Sequence, residues 1–523
     1  MTLPIHRGRY KIKQLITKGI FLLRAFYHYL LDLSKYEWIL ISAVAAYATV
    51  FSLYLIQKYE FFRTGYFDFG SLVQQAWLVS HGHITSFALG RPINLIAGGL
   101  YAIVPHPETL LVFQSAMLAI GAIPLYALAL RELGRRWHAI IFALLYLISA
   151  ALWGVNQYEY HDMAMVIPLL LLAMYFYASG NLIGYLSSFV LALSSSQLVV
   201  VIGLFMAVSF VVDYRESKSK KKLPFVLFTI AASALWVVYL ELSVFLPYYG
   251  FATFPPNGYT FTGSSQFVNP IIVLSNPSYS ITFAWTEKLR YLVYIFSPVI
   301  FLPFFSLRKL LPAFPWLAVV VGYSPLLGVG GVGPVYQLYS NWSSFPLSFV
   351  FVSAIYGLKR LRGRSKDPAT DSKRLQQVFG LMLVVTLTIA FTAGAFSPIS
   401  TPVNLSGGDS TVPTETNPAV SYHGVWPTPV RDYALLNSFV AMIPENDTVL
   451  TQNVIGSKLA ERLPPVYIFY QPGYKDVQTD AILIDSNVNG LCPVCMTNLL
   501  GTGNYTLRAS YDEGGIYLYF KNS

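Results

Sequence analysis

The chain is dominated by apolar runs about as long as a bilayer is thick. A helix needs roughly 20 apolar residues to cross the hydrocarbon core, and runs of that character fall at 37–57, 108–131, 137–155, 162–178, 182–194, 197–212, 223–246, 289–305, 310–329, 341–357 and 376–396. Eleven such runs predict an α-helical polytopic membrane domain over residues 37–396. Composition argues against a soluble alternative, because 55% of the 523 residues are apolar and 11% charged, outside the usual balance of globular domains.

The basic residues orient these spans. Arg7, Arg9, Lys11, Lys13, Lys18 and Arg24 precede the first run, Arg131, Arg135 and Arg136 follow the second, and Arg215, Lys218 and Lys220–Lys222 follow the sixth. Arg308, Lys309 and the run from Lys359 to Arg374 complete the set. With eleven crossings all of these fall on one side, which the positive-inside rule makes the cytoplasm. The expectation is therefore a multi-pass protein of the cell membrane with a cytoplasmic N-terminus and everything after residue 397 outside. The net charge of +10 follows from topology. Each basic run is short and abuts a span, so nucleic acid is not expected as a partner. No small-residue cleavage site follows the N-terminal basic stretch, so the first span is expected to serve as its own insertion signal.

Residues 1–36 read as a cytoplasmic amphipathic helix on the membrane surface. Two external loops are expected, 58–107 with short helices near 70–80 and 92–103, and 247–288, rich in aromatic, Pro, Gly and Ser residues. The segment 397–428 has the composition of a linker. After it, "TVLTQN", "VYIFY", "DAILID" and "YTLRASYDEGGIYLYF" alternate as strands do, the last broken by the turn signal Gly514–Gly515, and "RDYALLNSFVAMIP" reads as a helix. A small extracytoplasmic α/β domain is predicted over 429–523. Asn-x-Ser/Thr sites at Asn341, Asn404, Asn446 and Asn504 lie on the expected outer side or at its boundary. Cys492 and Cys495, in "CPVC", are read as a local disulfide of an oxidising compartment, with a redox pair or half of a zinc site as alternatives.

Polar residues in so apolar a chain are the candidates for chemistry. Asp68, in "YFDFGSLVQQAWLVSHG", follows the first span by about ten residues, with Phe67 and Phe69 beside it and Gln74, Gln75 and Trp77 on the helix after it. A carboxylate at the lipid head-group level suits a general base acting on a lipid-borne substrate; the alternative is an N-cap for the helix starting near Gly70. In "NQYEYHDM", Glu159, His161 and Asp162 are candidates to bind substrate or a divalent cation, or to assist proton transfer. The same loop also reads as a solvated turn with Asp162 capping the next helix. Glu241 is an ionisable residue near a span end. "GVGGVGP", followed by Tyr336 and Gln337, is either a loop that approaches a phosphate or a flexible connection. Ser194–Ser196 either line a polar cavity or satisfy backbone at a kink.

"FDFGSLVQQAWLVSHG" resembles the FDxGxxxQxxWxxxxG signature of DUF2079, a family of predicted archaeal and bacterial membrane proteins of unknown function. The resemblance continues through "PLYALALRELG", "YEYHDMAMVIPLLLLAMYFYA", "YQLYSNWSSFPLSFVFVSAIYGLKR", "IPENDTVLTQNVIGSKLAERLPPVYIF" and "DAILID". That family in turn is similar to the C-type integral-membrane glycosyltransferases, which take a sugar from a polyprenyl-phosphate donor and keep an essential acid in the first external loop. The resemblance implies that Asp68 is the catalytic carboxylate, deprotonating or orienting the acceptor, that Gln74, Gln75, Trp77, Glu159, His161, Asp162, Tyr336 and Gln337 line the substrate site, and that the partners are membrane lipids, a polyprenyl-phosphate sugar and a glycan, lipid or protein acceptor. Two departures stand out. The second loop reads Tyr160–His161–Asp162–Met163 where relatives typically have Phe-His-Pro-Glu, and Ser195–Ser196–Gln197 stands where they often have Lys-Glu-Asp. A flippase or transporter would show charged or broken helices at mid-membrane and internal repeats; an envelope scaffold would use the outer domain as an interaction module.

Overall fold

The computed structural model describes residues 33–240, 242, 277–322, 336, 338, 341–362, 368–393, 426–427, 433–464, 466–469, 479–486 and 499–522. Residues 1–32 of the N-terminal segment, most of the 247–288 loop, nearly all of the linker, Glu241, the Gly-rich loop, Gln337 and the Cys492/Cys495 pair lie outside them.

Where described, each expected span is helical, but they are not equal. Among the described residues six helices are long and apolar enough to cross a membrane: Lys35–Glu60, Glu108–Leu133, Asp162–Ser179, Lys220–Leu240, Leu302–Gly322 and Lys373–Ala393. A seventh path joins Arg136–Leu147 to Ala150–Gln157 across a 43° bend. The remaining expected spans are shorter or carry charge. Leu182–Ser195 has 14 residues, and Val199–Ser217 and Ser344–Arg362 end in charged turns. The expected pair 289–305 and 310–329 is cut differently by the chain. A 12-residue helix ends at Phe296, Ile300 and Phe301 adopt positive φ (42° and 57°), and one longer helical path begins at Leu302.

Two ends of the bundle are distinguished by the first helix, 26 residues long and so about 39 Å from end to end. At its start the Glu37 carboxylate accepts hydrogen bonds from the Ser34 amide (2.9 Å) and the Tyr126 hydroxyl (2.5 Å) and pairs with Arg136 at 3.4 Å. At the same end Lys359 meets Glu132 at 2.7 Å and Arg362 donates to the Leu133 carbonyl at 2.8 Å. The C-terminal domain sits at the other end, where Lys458 pairs with Glu60 at 3.4 Å.

That domain is a five-stranded mixed sheet in the order β2-β1-β3-β5-β4, with β1 at Val449–Thr451, β2 at Val466–Ile468, β3 at Ala481–Asp485, β4 at Tyr505–Tyr511 and β5 at Ile516–Lys521. β1, β2 and β3 are parallel; β5 runs antiparallel to both β3 and β4. The alternation read from sequence has its consequence here, since successive side chains of a strand point to opposite faces. Val449, Ala481 and Leu483 join the core that continues into the membrane helices, while Leu450, Ile482 and Ile484 form a separate cluster on the far face. The turn expected at Gly514–Gly515 joins β4 to β5, with Gly515 at φ 69°, a conformation costly for any residue with a Cβ. Asn446 and Asn504 are both exposed on this domain.

Candidate functional site

The 58–107 segment, read from sequence as the first external loop, folds as a helical hairpin, Ser71–Ser80 against Ile93–Ile103. The chain enters it through one π-helical turn, Tyr66–Gly70. Such single π-turns recur at functional positions, and this one carries Asp68. Leading amides of a helix have no acceptor within it, and Gly65 at the cap offers no side chain. Two distant residues supply the acceptors instead. Glu159 accepts from the Gly65 amide at 3.3 Å, and Asn453 of the C-terminal domain accepts through Oδ1 from the Phe67 amide at 3.0 Å.

The Asp68 carboxylate, 35% exposed, lies 3.7 Å from Nε2 of His161 and accepts a hydrogen bond from the Tyr158 hydroxyl at 3.1 Å. The capping role that spacing also allowed is not the one taken. The helix from Ser71 has Gly70 at its cap with no side-chain bond, and it is the Ser71 hydroxyl that reaches back to the Phe67 and Asp68 carbonyls, both at 3.0 Å. Asp68 and the 158–162 loop therefore share one site, though they lie some 90 residues apart in the chain.

That loop is held tightly. Glu159 adopts φ 89°, a left-handed conformation rarely taken by a residue with a long side chain. Gln114 spans the strained point, donating to the Glu159 carbonyl at 2.6 Å and accepting from the His161 amide at 2.7 Å. The Glu159 carboxylate is buried with Lys58 at 3.0 Å. Burial pushes its pKa up to about 7 against the pull of Lys58, and the nearby Asp68 charge adds to the rise. Lys58 also donates to the Gln157 carbonyl at 3.0 Å. Asp162 accepts from Arg91 on both carboxylate oxygens at 3.0 Å, from Asn94 at 3.2 Å and from the Met163 amide at 2.9 Å. Asp162 is the first residue of the following helix, whose cap is His161 with no side-chain bond, and its full burial corrects the reading of this loop as a solvated turn capped by Asp162.

These pairings correct the metal assignment. Glu159 faces Lys58, Asp162 faces Arg91 and His161 faces Asp68, so the three candidate ligands do not converge. No three His, Cys, Asp or Glu side chains among the described residues are gathered to hold an ion. Of the other expected substrate residues, Gln74 is buried and serves the domain junction. It accepts from the Tyr66 hydroxyl at 2.7 Å and donates to the Arg462 and Pro464 carbonyls at 3.1 and 3.2 Å. Gln75 accepts from the Thr85 hydroxyl. Trp77 lies against His81 with ring centres 4.2 Å apart, and Tyr336 is half-buried. The Ser194–Ser196 break satisfies backbone: Ser194 and Ser195 donate to the Leu191 carbonyl at 2.7 and 3.0 Å.

Residues 58–513 match DUF2079, a family of predicted membrane proteins. The chain belongs to this family. The matched region contains the whole site just described, from Lys58 to Pro464, so the Asp68 turn, the 158–162 loop and the domain segment that docks on them are all parts of the DUF2079 unit. None of the curated proteins matches the chain.

Four residues central to this site escaped sequence reasoning: Lys58, Arg91, Tyr158 and Asn453. Lys58 and Arg91 carried a signal, because basic residues stand out on the side that the charge pattern makes external, and ionisable residues at the ends of apolar helices call for a partner. Tyr158 and Asn453 carried none, being ordinary residues whose roles arise from contacts 90 and 386 positions away.

Proposed function

We propose that this protein is a membrane glycosyltransferase of the C type. It transfers a sugar from a polyprenyl-phosphate donor to a glycan, lipid or protein acceptor on the outer face of the membrane, with the N-terminus cytoplasmic and the C-terminal domain outside. The shorter helices complete an eleven-segment bundle around the longer ones. The orientation is supported by the basic residues at the Glu37 end of the bundle, opposite the domain. The observation that carries the reading is Asp68, a carboxylate on a helical irregularity beside the junction of membrane helices and domain, part-exposed and without a Lys or Arg partner among the described residues.

The chemistry asks little more of the protein than this. An acceptor hydroxyl or amide attacks the anomeric carbon, the bond from that carbon to the phosphate oxygen breaks, and polyprenyl phosphate leaves with the electron pair. The acceptor's proton goes to Asp68, a step worth about 10²–10⁴-fold for a well-placed base. Tyr158 and His161 hold the carboxylate in place, and Arg91 and Lys58, each already neutralising a carboxylate, keep the loop beneath it from moving. No step is assigned to a metal.

Purified protein in proteoliposomes, given a polyprenyl-phosphate sugar labelled in the sugar, tests this. Label appearing on an acceptor supports transfer. Label that only changes leaflet identifies a flippase, and label that does neither leaves a scaffold; each of these two results overturns the proposal.

A further inference from the structure

The C-terminal domain docks through the crossover that joins β1 to β2, from Asn453 to Pro464. β1 lies between the parallel strands β2 and β3, and Asn453 stands just beyond its carboxyl end. From there the chain runs through Ser457 and Arg462 to Pro464, just before the amino end of β2, and this whole crossover faces the Asp68 turn. Asn453 accepts from the Phe67 amide, the Thr64 hydroxyl donates to Ser457 Oγ at 3.0 Å, and Gln74 reaches the Arg462 and Pro464 carbonyls. Approach is so close that a Cβ on Gly70 would lie 3.0 Å from the Ser457 Cα. The base beneath Asn453 is firm, because the Gln452 side chain bonds the end of β3 twice, donating to the Asp485 carbonyl at 2.7 Å and accepting from the Asp485 amide at 2.9 Å.

We infer that the domain is a positioning part of the site: Asn453 completes the cap of the Tyr66–Gly70 turn and so fixes Asp68 against Tyr158 and His161. The turn is held from two sides, by Glu159 of the membrane region at Gly65 and by Asn453 of the domain at Phe67, with the carboxylate one residue beyond the second hold. Asn453 is a positioning residue, not a catalytic one. The consequence for sugar transfer rests on the function proposed above; the hold itself does not.

Hydrogen–deuterium exchange of the full-length protein in lipid nanodiscs tests the hold without any substrate. Loss of one hydrogen bond, about 1 kcal/mol, makes the 65–70 segment of Asn453→Ala exchange about fivefold faster. Asn453→Asp, which keeps an acceptor oxygen in place, restores the wild-type rate, and β3 and β5 are unchanged in both variants. Unchanged exchange over 65–70 in Asn453→Ala overturns the inference. So does equal acceleration in the sheet, which would make Asn453 merely a folding residue. In the transfer assay Asn453→Ala lowers kcat several-fold with KM held, and Asn453→Asp recovers it; a kcat that does not move while 65–70 exchanges faster also overturns the positioning role. Absence of transfer by the wild-type protein would instead overturn the proposed reaction and leave the exchange result to decide the hold.

Discussion

At the Glu37 end of the bundle Asp213 is enclosed by compensating groups, whereas at the domain end Asp68 is not. Lys309 and Arg308 both face Asp213, the Tyr177 hydroxyl donates to it at 2.7 Å, and the Lys309 ammonium lies 5.0 Å from the ring centres of Tyr177 and Tyr356. Asp68 has a phenol, an imidazole and about a third of its surface exposed. A buried carboxylate with a full set of partners is a fastening, since its charge is spent on the protein itself. A carboxylate that keeps part of its surface and no fixed cation retains the capacity to take a proton from something else. The domain end holds both kinds: Glu159 and Asp162 are fastenings, and Asp68 meets the same loop through Tyr158 and His161.

The comparison can be broken most forcefully at the fastenings. Lys309→Met strands Asp213 in the bundle without its closest cation, and removing one partner of a buried pair costs about 3 to 5 kcal/mol. Thermal unfolding in detergent should show a loss of that order, with sugar transfer per folded molecule unchanged. An equal loss of transfer would mean that the Glu37 end is not purely structural.

Glu159 gives the next largest effect, and it depends on pH. Its folded-state pKa is raised to about 7, so between its ordinary value near 4.5 and 7 the folded protein binds the proton more tightly than the unfolded chain. Stability from this group is therefore greatest at the acid end and falls as pH rises through that window, by about 3 kcal/mol in all. Glu159→Gln should flatten this decline when unfolding is followed from pH 5 to 8. A variant with the same slope as the wild type would assign the dependence to another group.

The smallest effect is expected at Asp68's own donor. Tyr158→Phe removes a hydrogen bond to a part-exposed carboxylate, about 1 kcal/mol, and should slow transfer roughly fivefold with little change in melting temperature. A loss as large as that from removing the carboxylate would make Tyr158 a participant in the reaction.

Much of this architecture can be read from residue order alone, and the reason is the range over which each signal acts. Apolar runs and two-residue alternation are local, and they return the helices, the two short helices of the first external loop and all five strands. Asp68 and the Glu159–Asp162 loop stand out because charge is rare in this chain and each ionisable residue needs a partner or a role. What could not be read is pairing. Gln74 has the spacing of a residue facing a substrate, yet its amide is used by carbonyls 388 and 390 positions later. Lys58 looks like a residue ending a span until Glu159 is placed 3.0 Å away. The uneven spans were hidden for a related reason. Hydropathy locates apolar segments but not the positive-φ residues Ile300 and Phe301 that decide where one helix stops and the next begins.

The most direct test sets the two kinds of carboxylate against each other in one assay, comparing Asp68→Asn with the wild type in proteoliposomes supplied with labelled polyprenyl-phosphate sugar and acceptor. The account predicts a fall in transfer of about 100-fold or more with the melting temperature unchanged, because Asp68 is not a fastening. Transfer by Asp68→Asn at the wild-type rate would contradict it.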